Sequence, residues 1–164
     1  MSVGTPDRTE AYRDIQRRLT HRGSVDAGGF IDLAWESLAP TGVSWIGFYR
    51  LDPGSETMSL EQCRDRPACS PIGLHGVCGQ ALRRGRTRIV RDVLELGDDY
   101  VACDPRDRAE IVIPLRPDRV LDLDSFNVDA FSDVDDRWLR DILALAGFQP
   151  IEAGPPLESV FGGD

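Results

Sequence analysis

The chain is predicted to fold as one α+β domain, a central antiparallel sheet flanked by helices. Three observations carry that prediction. Helical periodicity fills the first forty residues, strand-like runs occupy the middle with two of them around a short turn, and helical periodicity returns after residue 132. A length of 164 residues suits a single domain, since domains typically run about 100–200 residues. The domain is drawn over 1–147, with 148–164 as a tail rich in Pro and Gly.

The elements follow in order. Residues 7–20 place Ala11, Ile15, Arg18 and Leu19 on one helical stripe, and a second helix is expected from Ser24 or Asp26 through Leu38. Pro40-Thr41-Gly42 stops it, and the aromatic and β-branched run 43–51 reads as a buried strand that turns at Asp52-Pro53-Gly54-Ser55. A short strand, Thr57 to Glu61, leads into a loop over 63–76 whose Pro, Gly and Cys content argues against regular structure and suits the wall of a site. A short helix over Val77 to Arg84, a strand at Thr87–Val90 and an acidic loop to Cys103 come next. Residues 110–115 and 120–125 then pair around Arg116-Pro117-Asp118-Arg119. The last helix starts after Ser132, which can cap it together with Asp135, and stops at Gly147; its expected stripe is Val134, Trp138, Leu139, Ile142 and Leu145.

Charge and composition narrow the partners. A net charge of −9 and a pI near 4.7 disfavour nucleic acid and anionic membranes, both of which repel such a chain at long range. The basic run Arg83, Arg84, Arg86, Arg88 and Arg91 reads as a solvated helix end and strand edge. No apolar stretch reaches the ~18 residues of a spanning helix, and the polar start is unlike a signal peptide, so the expected compartment is the cytoplasm. Thiols stay reduced there, so Cys63, Cys69, Cys78 and Cys103 point to redox, catalytic or metal chemistry before structural bridges.

The cysteine spacings, with five, eight and twenty-four residues between successive thiols, lack the close pair that makes a zinc site convincing. Taken singly, each cysteine reads as a small buried hydrophobe. Taken together, separated thiols in loops fit a pattern in which one reacts as a thiolate and another resolves the sulfenic acid as a disulfide. His75 lies near them in sequence, whereas His21 sits at a helix end. Asp122 and Asp124 alternate with Leu121 and Leu123, so strand periodicity puts both carboxylates on one face, with Glu110 opening the neighbouring strand. From pattern alone this is either a solvent-facing polar stripe or a carboxylate cluster whose mutual repulsion keeps a proton near neutral pH for general acid work.

Six segments, taken in order, closely resemble the GAF-domain family of free methionine-(R)-sulfoxide reductases. They are Trp45-Ile46-Gly47-Phe48-Tyr49, Pro67-Ala68-Cys69, Gly76-Val77-Cys78-Gly79, Ala102-Cys103-Asp104, Glu110-Ile111-Val112-Ile113-Pro114 and Leu121-Asp122-Leu123-Asp124-Ser125. The resemblance runs from about residue 10 to 147 and implies a GAF-like domain with neither cofactor nor metal. It implies that Cys103 attacks the sulfoxide sulfur and becomes a sulfenic acid, with Cys69 as the preferred resolving thiol and Cys78 as an alternative or assisting one. Which of Cys78 and Cys103 attacks first stays open at this stage. Glu110, Asp122 and Asp124 are implied to hold the substrate ammonium and to protonate the sulfoxide oxygen, Trp45 and Tyr49 to wall its methyl side. Thioredoxin or an equivalent dithiol would recycle the disulfide, and a homodimer is compatible with the family.

Three departures stand out against that family. The hairpin between Leu115 and Asp122 is about four residues shorter, Gly97-Asp98-Asp99-Tyr100 replaces a Pro-Gly-His-like turn, and Cys63 is an additional thiol. A deletion shared evenly between two strands keeps side-chain parity, so Asp122 and Asp124 are still expected to face inward. The alternative reading is a non-catalytic GAF module that binds a small molecule as a sensor.

Overall fold

The structure, a computed structural model, describes residues 4–100 and 103–151, with only the backbone of Asp98 and Asp99. Helix α1 (Thr9–Arg22) buries Tyr12, Ile15 and Leu19. The stripe is therefore turned from the expected one. Tyr12 points inward because its hydroxyl donates to Asp135 at 2.7 Å, while Arg18 stays outside and pairs with Glu36 at 2.8 Å. Helix α2 (Ala27–Leu38) begins at Asp26, whose carboxylate accepts the Gly29 N–H at 2.8 Å, and closes through a 3-10 turn at Ala39–Thr41.

Strands β1 (Trp45–Leu51), β2 (Thr57–Arg64) and β3 (Ile72–Gly73) come next, followed by helix α3 (Val77–Arg84) and strand β4 (Arg88–Val90). Then come β5 (Ala109–Arg116), β6 (Arg119–Ser125), helix α4 (Asp133–Leu145) and β7 (Gln149–Pro150). The sheet runs β3-β2-β1-β6-β5-β4, with β7 beside β5, and every pairing is antiparallel. The expected α+β class is the one observed.

Three elements differ from expectation. β2 continues past Glu61 to Arg64 because it pairs with the whole of β1, ending at Ile46 opposite Arg64. The 63–76 stretch, expected to lack regular structure, contributes that strand end and the short β3. Beyond residue 147 the chain adds β7, and Phe148 stacks on Phe48 at 5.0 Å, so the ordered sheet passes the boundary drawn at 147. Residues 152–164 of the tail lie outside the described residues.

In α4 the capping box forms as read, Ser132 capping the first turn and Asp135 returning to the Ser132 N–H at 2.9 Å. Its inward face is Asp135, Leu139, Ile142 and Leu143, while Val134 and Leu145 are exposed. The helix is rotated because Asp135 also pairs at 3.1 Å with Arg8, a fully buried side chain.

The sheet sorts its side chains by parity. Ile46, Phe48, Ile111, Ile113, Leu121 and Leu123 face α1, α2 and α4 in the main core. Trp45, Tyr49, Val112 and Val120 face the other way, with Met58, Val77, Cys78 and Ala81, in a second core under α3. The second layer is where polar residues gather.

Candidate active site

On that second face three strands bring their residues into rows. Trp45 of β1 lies opposite Asp124 of β6, which lies opposite Glu110 of β5. The next row is Gly47, Asp122 and Val112. The short β5–β6 hairpin turns at Pro117-Asp118 with Leu115 opposite Arg119, so the register is kept and both aspartates face inward as parity predicts.

The polar rows are covered rather than solvated. α3 lies over them, and Gly79 presses so close to the backbone of Leu74 that any β-carbon there would overlap it, which brings the 63–76 segment down onto the helix. A cavity of about 420 Å³ remains, within the range of small-ligand sites. Trp45, Tyr49, Cys69, Cys78, Cys103, Glu110, Asp122 and Asp124 all line it. His75 lines it too, whereas His21 is exposed at the end of α1 and Cys63 is outside the lining.

Two of the four thiols are joined, Cys69 to Cys103, with Cα atoms 5.5 Å apart. Cys103 is exposed at the mouth and Cys69 half-buried. Cys78, at the start of α3, is free and buried. Burial pushes its thiol up, and the charges of Asp122 and Glu110 push it further, which favours the neutral thiol beside Asp122. Burial also raises the Cys63 thiol.

Burial raises all three carboxyls: Glu110 chiefly by desolvation, Asp122 by desolvation and the charges of Asp124 and Glu110, Asp124 by desolvation and Glu110. Burial and mutual charge therefore favour the protonated carboxyls, which is the carboxylate-cluster reading and not the solvated stripe. Cys78 and the oxygens of Glu110 and Asp122 lie within 4.8 Å of one another, the donor set that a thiophilic divalent cation could use.

Two further polar residues escape the sequence reading. Asp107 is 6% exposed, lines the cavity, and is pushed up to about 6, first by burial and then by Asp104. Tyr100 also lines it. The only signal for Asp107 in the sequence is its place three residues before Glu110; the turn that carries it inward is closed by its N–H donating to the Asp104 carbonyl at 3.1 Å.

The disulfide thus borders a cavity with an acidic floor on this face of the sheet. No family model matches the chain. It is similar to the free methionine-R-sulfoxide reductase of Escherichia coli, 33% identical over 150 residues that span 84% of this chain and 87% of that one. The chain belongs to the free methionine-R-sulfoxide reductase family. A second family member, from Saccharomyces cerevisiae, is 32% identical over 127 residues, 73% of this chain and 69% of its own. Among solved structures, the Neisseria meningitidis free methionine-R-sulfoxide reductase in complex with its substrate superposes with a TM-score of 0.75 at 27% identity, covering 89% of this chain and 92% of that one. A GAF domain structure matches at a TM-score of 0.70 and 28% identity over 85% of this chain and 87% of its own. The fold is that of a GAF domain. Among the described residues no helix is long and apolar enough to cross a membrane.

Proposed function

We propose that this chain reduces free methionine-(R)-sulfoxide to methionine, with Cys103 as nucleophile and Cys69 as resolving thiol. The observation that carries the reading is the Cys69–Cys103 disulfide bordering a cavity floored by Glu110, Asp122 and Asp124. In the reduced enzyme the Cys103 thiolate attacks the sulfoxide sulfur. A protonated carboxyl of the cluster gives its proton to the oxygen, which passes to Cys103; methionine leaves and the thiol becomes a sulfenic acid. Cys69 then attacks that sulfur, forming the disulfide and releasing water. Thioredoxin or an equivalent dithiol restores both thiols through a mixed disulfide.

Cys78 is the weaker candidate for first attack, since burial within the acidic floor favours its neutral thiol. Its role in this reading is to assist as a neutral hydrogen-bonding group beside Asp122. An ammonium entering the cluster stabilises an ionised carboxylate there, while the remaining acid keeps the proton that the sulfoxide needs. Trp45 and Tyr49 wall the methyl group. Methyl wall, oxygen donor and ammonium clamp make three distinct contacts, enough to read the chirality at sulfur. A peptide-bound residue lacks the ammonium that the acidic floor would hold. We place the working enzyme in the reducing cytoplasm.

The test is methionine formation from free L-methionine-(R)-sulfoxide with excess dithiothreitol, for wild type and Cys103→Ser, with the (S) epimer and a peptide-bound sulfoxide as controls. Turnover confined to the free (R) form and abolished by Cys103→Ser supports the reading. Folded wild type without turnover would leave a ligand-binding GAF module in its place.

A further inference from the structure

The segment that carries Cys69 is held in place by bonds that do not depend on the disulfide. Arg66, three residues before Cys69, sends its guanidinium across to the nucleophile's segment. One terminal nitrogen lies 2.9 Å from Asp104, the residue after Cys103, and 4.0 Å from Asp107. The other donates to the Ser44 carbonyl at 3.0 Å, just ahead of β1. The carbonyl of Arg66 accepts the Trp45 indole N–H at 3.0 Å, and the carbonyl of Cys69 accepts the Tyr49 hydroxyl at 2.8 Å. The plane of the guanidinium also rests over the Phe126 ring at 5.2 Å.

We propose that Arg66 is a positioning residue for the resolving step: it clips the Cys69 segment to the Cys103 segment so that the two sulfurs stay in reach after the disulfide has been reduced. This rests on the functional reading above. The step it serves is attack of the Cys69 sulfur on the sulfenic sulfur of Cys103, which forms the S–S bond, expels the hydroxyl oxygen and releases it as water with the Cys69 proton. Such a reaction owes its rate to the effective concentration of one thiol at the other, and a displacement of about 1 Å can cost ~10²-fold.

The geometry separates Arg66 from its neighbour Arg106. Arg106 also binds Asp104, at 2.8 Å, and also covers Phe126, at 4.6 Å. It sits on the same segment as Asp104, however, two residues away, so it stiffens one side of the join without crossing it. Arg66 crosses it. The ion pair is partly screened, as Arg66 keeps a 30% exposed side chain against 13% for Asp104, so the clip is expected to weaken with salt.

The experiment is a single turnover of pre-reduced, desalted enzyme with free methionine-(R)-sulfoxide and no reductant, in wild type, Arg66→Met, Arg66→Lys and Arg106→Gln. Methionine release reports the first step; a dimedone adduct on Cys103 and loss of the Cys69 thiol report resolution. The expected result is a first step within about twofold of wild type in all four proteins. In Arg66→Met the sulfenic acid should live at least ~10-fold longer, with partial recovery in Arg66→Lys and none of the effect in Arg106→Gln. Disulfide formation in Arg66→Met as fast as in wild type overturns the proposal, as does an equal delay in Arg106→Gln, since either shows that the crossing contact is immaterial. Absence of methionine release from wild type overturns the reductase reading itself, and is distinguishable because no variant comparison enters it.

Discussion

The indole ring of Trp45 lies across Gly47, in the space that a side chain at that position would fill. A β-carbon on Gly47 would come within 2.9 Å of three carbons of the ring. Trp45 is 1% exposed, donates its N–H to the Arg66 carbonyl, and lines the cavity beside Tyr49, with ring centroids 6.1 Å apart.

Gly47→Ala is therefore expected to turn the indole out of place and spoil the wall on the substrate's methyl side. We expect kcat/KM for the free (R)-sulfoxide to fall by ~10-fold or more and stability to fall by about 1–3 kcal/mol from overpacking. Steady-state kinetics and tryptophan fluorescence check this; an unchanged emission spectrum with full activity would show that the ring does not depend on the glycine.

The buried carboxyls supply a second prediction. Because burial raises Glu110, Asp122 and Asp124, they keep their protons to higher pH than free carboxyls do and lose them as the solution becomes more alkaline. The rate should decline on the alkaline side of the profile, and Asp122→Asn or Asp124→Asn should lower kcat/KM by ~10²-fold without lowering the melting temperature, since relief of a buried acidic cluster offsets the lost hydrogen bonds. Full activity in both amide variants would remove the cluster from the mechanism.

Asp107 makes stability depend on pH. Its folded pKa of about 6 lies above the ordinary 3.8, so its favourable contribution is complete below about 3.8 and is lost as pH rises through about 6. Asp107→Asn, which carries no charge at any pH, should gain on wild type between about pH 4 and pH 8. The gap is at most about 3 kcal/mol, from roughly two units at 1.36 kcal/mol each. Chemical denaturation at the two pH values measures it, and a pH-independent difference would contradict the assignment.

The opposite behaviour is expected at Asp135. It pairs with the buried Arg8, accepts from Tyr12 and caps α4 through Ser132. Asp135→Asn strands a buried guanidinium and weakens the cap, so thermal unfolding should show a loss of about 3–5 kcal/mol, roughly 10 °C in Tm. A change under about 1 kcal/mol would mean that the pair is compensated.

What the sequence determined by itself is local and periodic. The alternation Leu121-Asp122-Leu123-Asp124 fixes which face each side chain takes, and the Ser132 and Asp135 pair starts α4, because parity and capping need only neighbours a few residues away. The residues brought to the cavity were also legible as types, separated thiols and carboxylates at strand period. The tertiary structure decided everything that depends on what covers a face. Strand parity cannot tell a solvated stripe from a buried one, and it is α3 and the 63–76 segment, distant in the chain, that seal Asp122 and Asp124 and raise their protons. The inward turn of Tyr12 and Asp135, the carboxyl of Asp107 and the reach of Arg66 to Asp104 rest on the same kind of fact. Burial and long-range pairing are properties of the packed molecule, because water leaves a group only when another part of the chain replaces it.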